Sequence, residues 1–191
     1  EEDGSGACGQ LTLKQLLTCP NQACDFVQQT GVDALAIAIG TSHGAYKFTQ
    51  KPTAQTLSLE RLKEIHRKLP STHLVLHGSS SVPDELISTI NQYGGQLQQT
   101  YGVPIEAIQQ AMNLGVRKVN IDTDLRLAST AAIRKHLAEN PKNFDPRAYL
   151  KAARLAMKQV CLERYQSLNC SNMAAKIRSL KAPSKSKMVC V

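Results

Sequence analysis

The chain has no tryptophan, and phenylalanine and tyrosine together make up only 4% of its 191 residues. Its core must therefore be aliphatic, drawn from the 42% of residues that are hydrophobic. No run of about 18 apolar residues occurs, so no helical membrane span is expected. No apolar stretch follows a basic start, so nothing reads as a secretory leader. There is no C-x-x-C pair. The six cysteines, Cys8, Cys19, Cys24, Cys161, Cys170 and Cys190, are irregularly spaced. In a chain with a sizeable core this predicts reduced thiols, not a disulfide framework. An initiator methionine is also missing. Glu1-Glu2-Asp3-Gly4 reads like the middle of a loop, and the chain is expected to begin inside a larger protein. Acidic residues are the minority, 15 against 23 lysines and arginines, for a net charge of +8. Such an excess suits nucleic acid, a membrane surface or a phosphorylated small substrate. Part of it sits near the C-terminus, in Lys176, Arg178, Lys181, Lys185 and Lys187, and the rest is scattered without interleaved aromatics. A nucleic-acid recognition motif is absent, so neither nucleic acid nor membrane is the expected partner.

What is present is an alternation of strand and helix signals. Residues 1–10 are rich in Gly and acid and predict a mobile loop. Residues 11–30 have helical spacing, broken at Pro20 with a new start near Asn21, and Gly31 stops it. Residues 33–39 form an apolar run of strand length without alternation, which predicts burial on both faces. A long loop over 40–53 precedes a helical stripe over 58–69, made by Leu59, Leu62, Ile65 and Leu69. A second strand is predicted over 72–76. Helices come next over 83–93, with Pro in the first turn, and over 104–113. A third strand spans 116–121, a helix 125–139, and Asp145-Pro146 opens a long helix to about residue 167. The tail from Ala182 reads as disordered. Such alternation predicts an α/β fold with parallel strands and helical crossovers. Three or four strands cannot close a barrel and leave raw edges.

Polar groups gather where the strands stop. Ala36-Ile-Ala-Ile39 runs into Gly40-Thr-Ser-His-Gly44, and His73-Leu-Val-Leu76 runs into His77-Gly-Ser-Ser80. Arg117-Lys-Val119 runs into Asn120-Ile-Asp-Thr-Asp124. In α/β enzymes the chemistry sits at the carboxyl ends of the strands, and two imidazoles converging there could hold a metal. Period-two geometry over 116–121 would place Asn120 and Asp122 on one face. His66, His73 and His136 lack such context and read as structural or surface residues.

The order of these motifs resembles the class II, metal-dependent fructose-1,6-bisphosphate aldolases. The likeness rests on Gly40-Thr-Ser-His-Gly-Ala-Tyr-Lys47, His77-Gly-Ser-Ser-Ser-Val-Pro83 and Arg117-Lys-Val-Asn-Ile-Asp-Thr-Asp-Leu-Arg126. The insertion Gly94-Gly-Gln-Leu-Gln-Gln-Thr-Tyr-Gly-Val-Pro104 and the segment Phe144-Asp-Pro-Arg147 resemble the Calvin-cycle-type branch. The resemblance implies the C-terminal half of a (β/α)8 barrel with a helical C-terminal extension. Residues 1–181 would belong to one barrel domain and 182–191 to the tail.

By resemblance, His43 and His77 are two ligands of one catalytic Zn²⁺. The third histidine, and the aspartate beside it that exchanges a proton with the aldehyde oxygen, would lie outside this chain. Gly44, Lys47, Gly78, Ser80, Asn120, Asp122 and Thr123 would bind the substrate and its phosphate. Glu2 would be the general base on a mobile loop, with Asn120 assisting at a substrate oxygen. Arg126 and Arg147 are candidates for the second phosphate. Backbone carbonyls around Gly44 and Gly78 would suit a monovalent cation. The implied reaction is reversible cleavage of fructose 1,6-bisphosphate to dihydroxyacetone phosphate and glyceraldehyde 3-phosphate, with sedoheptulose 1,7-bisphosphate as a further substrate, in glycolysis, gluconeogenesis or the Calvin cycle. A homo-oligomer in the cytoplasm or plastid stroma is expected. Two other readings stay open: a tagatose-type ketose-bisphosphate aldolase, and a non-catalytic half-barrel that binds or assembles.

Overall fold

In the computed structural model, residues 17–41 and 57–180 are described. Helix α1 (Pro20–Thr30) starts with proline in its first turn, where a missing N–H costs nothing. It ends on Gly31, whose φ of 66° lets its N–H turn back to the Val27 carbonyl. Strand β1 (Ala34–Ile37) comes next, then α2 (Leu59–Lys68), β2 (His73–Leu76), α3 (Asp84–Gln92), α4 (Ile105–Asn113), β3 (Val116–Val119), α5 (Thr123–Glu139), α6 (Pro146–Ser167) and α7 (Ala174–Ser179). The last of these has no counterpart in the sequence reading.

The pairings among β1, β2 and β3 are parallel, and the sheet order β1-β2-β3 of the described residues repeats the chain order. Each crossover carries at least one helix. Strand order that does not reverse suits a segment of a barrel, and equally one half of a doubly wound sheet. Ala34 pairs with His73 and Ile37 with Leu76. Between β2 and β3 the register slips at Leu74/Val75, so that Leu74 faces Val116 and Val75 faces Lys118.

β2 is central, and Leu74, Val75 and Leu76 are all buried. β1 departs from the sequence expectation. Only Ile37 of its four residues is buried, because β1 pairs on one side alone among the described residues. An apolar run signals a strand, but burial of both faces needs layers on both sides.

The main core is aliphatic, as the composition requires. Leu62 and Ile65 of α2 meet Leu74 and Leu76 of β2, Ile108 and Ala111 of α4, and Val116 of β3. A second cluster, formed by Val82, Ile87, Ile90, Leu127 and Ala131, joins α3 to α5. Among the described residues, no helix is long and apolar enough to cross a membrane, and Cys19, Cys24, Cys161 and Cys170 are free thiols.

Candidate functional site at the carboxyl ends of the strands

Parallel pairing places the ends of β1, β2 and β3 on one rim. Glu2, His43, Gly44 and Lys47 lie outside the described residues. The described part of the rim is therefore built from the segments that leave β2 and β3.

His77 comes directly after β2 and its residue is exposed. Asn120 comes directly after β3, and its backbone N–H donates to the Leu76 carbonyl at 2.8 Å, which extends the ladder by one step. That step brings the two side chains together: Asn120 Nδ2 lies 3.0 Å from both His77 Nδ1 and Nε2. A primary amide can donate or, after a half-turn, accept, so Asn120 can serve either imidazole tautomer. A ring nitrogen of neutral imidazole is the donor that a zinc ion takes from histidine. The donor chemistry of His77 thus fits a metal ligand. Among the described residues, no three His, Cys, Asp or Glu side chains cluster as a complete metal site.

Gly78 adopts φ 61°, a left-handed turn that suits glycine. The chain then enters the interior. Ser79 is fully buried; its N–H donates to the Asn120 carbonyl at 3.3 Å and its hydroxyl to the His77 carbonyl at 3.2 Å. The Ser80 hydroxyl oxygen accepts from the N–H groups of Asp122, at 3.2 Å, and Thr123, at 3.1 Å. Ser80 therefore satisfies two orphan donors of α5 from across the sheet. With its oxygen accepting twice, its own O–H is left to donate.

Asp122 corrects the period-two reading. β3 stops at Val119, and Asp122 is the N-cap of α5 with φ −123° and ψ −51°. Its carboxylate pairs with Arg126 at 2.7 Å, one helical turn on, and both side chains are about two-thirds exposed. Thr123 starts α5 and is buried. Arg147 lies elsewhere, at the start of α6, where its guanidinium makes a fork with Asp145: Nε lies 3.0 and 2.9 Å from the two carboxylate oxygens, and Nη2 lies 2.6 Å from one of them. Arg147 holds the Asp145 carboxyl below the usual carboxylate range, and the carboxylate raises Arg147 further. Asp145 also caps α6 by accepting from the Arg147 N–H at 2.9 Å.

Sequence reasoning missed Asp124 and Arg164. Asp124 is fully buried in the first turn of α5 and bonded to the loop after His77. An acid in the first turn of a helix is a common sequence signal, but nothing local shows that this one is buried. Arg164 reaches it at 3.0 Å from α6, 40 residues away.

The fructose-bisphosphate aldolase class-II family model matches residues 1–173. The chain is 59% identical over 180 residues to a fructose-bisphosphate aldolase of Pseudomonas aeruginosa, covering 94% of this chain and 51% of that protein. It is 60% identical over 179 residues to a class 2 fructose-bisphosphate aldolase of Synechocystis, with 94% and 50% covered. The crystal structure of the YdjI aldolase from Escherichia coli superposes with a TM-score of 0.55 at 28% identity, covering 83% of this chain and 46% of that one. The chain spans about half the length of the relatives it matches.

Proposed function

The chain belongs to the class II fructose-bisphosphate aldolase family, and from that premise we propose that it supplies half of the active site of an enzyme that reversibly cleaves fructose 1,6-bisphosphate into dihydroxyacetone phosphate and glyceraldehyde 3-phosphate. The α/β fold, half of a (β/α)8 barrel, fits the aldolase neighbours. The observation that carries the reading is the 3.0 Å approach of Asn120 to the His77 ring on the rim where β2 and β3 end.

In this reading His77 and His43 are two of the ligands of one zinc ion, and the third comes from outside this chain. The ion, when bound, supplies Lewis-acid polarisation of the substrate's carbonyl. Asn120 sets the His77 ring and offers its amide to the substrate oxygen on which negative charge develops. Ser80 donates its O–H to the phosphate of the triose, beside the N-terminus of α5, where the helix dipole favours an anion. Gly44 and Gly78 allow close backbone approach, and Lys47, Asp122 and Thr123 complete the cradle. A monovalent cation at the carbonyls near Gly44 and Gly78 would neutralise part of the phosphate charge. Glu2 takes the proton from the triose carbon in the condensation direction, which requires its loop to close over the substrate. Arg126 or Arg147 receives the second phosphate, exchanging its carboxylate partner for it; Arg147, which lies away from the His77 rim, would do so from a neighbouring subunit. Residues 1–181 form one part of the barrel domain. The complete enzyme is a cytoplasmic or plastid homo-oligomer, and sedoheptulose 1,7-bisphosphate is a further substrate.

The test is cleavage by protein expressed from its complete coding sequence, assayed on fructose and tagatose 1,6-bisphosphates. The reading predicts preference for fructose, loss of turnover with a chelator and recovery with Zn²⁺. Preference for the tagatose ester would move the assignment to that branch, and turnover indifferent to chelation would refute it.

A further inference from the structure

We propose that Asp124 and Arg164 are positioning residues: together they clamp the loop 79–82, and through it hold His77 and Ser80 in place against Asn120 and the start of α5. The effect on turnover rests on the aldolase reading; the clamp itself does not.

Four hydrogen bonds converge on the Asp124 carboxylate, which is 0% exposed. Oδ2 accepts from the Ser81 N–H at 3.0 Å, the Ser81 hydroxyl at 3.1 Å and Arg164 Nη2 at 3.0 Å, and Oδ1 accepts from the Val82 N–H at 2.8 Å. Arg164 Nη2 also donates to the Ser81 hydroxyl at 2.5 Å. Two consecutive backbone N–H groups are thus gathered by one carboxylate from another element. The loop needs such holding. Val82 has φ 50°, a costly conformation for a β-branched residue, and it persists only where the surroundings over-determine it. On the other side Gly102 presses on the same backbone: a Cβ there would lie 2.3 Å from the Ser81 carbonyl carbon. The Val103 N–H donates to the Ser80 carbonyl at 3.0 Å.

An apolar residue could fill the space of Asp124 without burying a charge, and buried ion pairs give little net stability for their desolvation. What an apolar residue could not do is bind the Ser81 and Val82 N–H groups. The segment so fixed is short and connects directly to the site. Ser79 binds the carbonyls of both His77 and Asn120, and Ser80 caps α5. Arg164 extends the control to α6. Its Nε is buried without a hydrogen-bond partner among the described residues, and Nη2 joins it to the cluster.

The test uses protein expressed from its complete coding sequence, with Asp124→Asn, Arg164→Leu, Arg164→Lys and Ser81→Ala. Amide hydrogen exchange is read at Ser79, Ser81, Val82 and Asn120, with Leu62 and Leu74 as core references, alongside kcat for fructose 1,6-bisphosphate. Loss of one or two buried charge-assisted bonds predicts exchange faster by about tenfold or more at Ser79 and Asn120, with Leu62 and Leu74 unchanged, in Asp124→Asn and Arg164→Leu. The kcat is expected to fall by a similar factor, and Arg164→Lys, which keeps a charged donor, restores most of both. Ser81→Ala gives a smaller opening and decides the matter if Asp124→Asn does not fold. Exchange that rises equally at the core references, or does not rise at Ser79 and Asn120, overturns the proposal. If the wild-type protein cleaves no sugar bisphosphate, the aldolase reading fails while the exchange data still decide the clamp.

Discussion

Asn120 has the most to do of any single residue, since it meets the His77 ring and, in the proposed reaction, a substrate oxygen. Removing a preorganised donor from developing charge costs about 10²–10³ in rate. Asn120→Ala is therefore expected to lower kcat by about 100-fold at saturating zinc, and to weaken zinc affinity as well, because Asn120 also sets the His77 ring. Wild-type kcat once zinc is saturating would make Asn120 a support for the metal and not for the substrate. A second residue-scale case is Gly115, whose φ is 101° and whose added Cβ would lie 2.4 Å from His66 Nδ1. Gly115→Ala combines backbone strain with that clash, and a loss of about 1–3 kcal/mol is expected by urea denaturation. An unchanged midpoint would mean that the ring moves aside freely.

Among the elements, the start of α6 responds to pH. The Arg147 side chain, then its backbone N–H, hold the Asp145 carboxyl below its unfolded value of about 4. A carboxyl with a depressed folded pKa stabilises the fold fully above the unfolded value, and the contribution is lost as pH falls through the folded one. Thermal melts of wild type and Asp145→Asn should differ at pH 7 and converge as the pH falls below about 4; a constant gap would place the effect in packing. In the sheet, Leu74 is fully buried in the central strand. Leu74→Ala is expected to cost about 2–5 kcal/mol, measured by the same denaturation.

Elements were legible in the sequence where local punctuation decides them. Pro20 and Gly31 bracket α1, Pro83 and Pro104 precede α3 and α4, and Pro146 opens α6. That His77 and Asn120 stand at strand ends was legible because each directly follows a short strand, apolar in β2 and carrying Arg117 and Lys118 in β3. Asp122 was misread because β3 ends at Val119, and a strand pattern cannot show where the ladder gives way to a helix cap. The partners of Asp124 were not legible at all. They come from 42 residues before it and 40 after it, and tertiary folding alone brings them together.

At the scale of the molecule, the three described strands run in chain order and are fewer than half of the eight that close a (β/α)8 barrel, and the outer edges of β1 and β3 have no strand partner among the described residues. Beside β3 lies a cavity of about 360 Å³ lined by Val116, Val119, Leu125, Val160 and Leu168 among others. Apolar surface and unpaired edges of this kind promote association. The 191-residue chain expressed by itself should bind a hydrophobic dye and sediment as concentration-dependent oligomers, whereas protein from the complete coding sequence should bind little dye. Equal, weak dye binding by both would mean that the half-barrel covers its own edges. The positive charge of the chain suits a substrate with two phosphates, as the proposed metal-dependent aldolase site at the His77 rim requires. That site is tested most directly by zinc content and fructose 1,6-bisphosphate cleavage measured together in His77→Ala, expressed from the complete coding sequence. A folded protein with little bound zinc and no detectable cleavage is expected. Full zinc occupancy with wild-type turnover would contradict it.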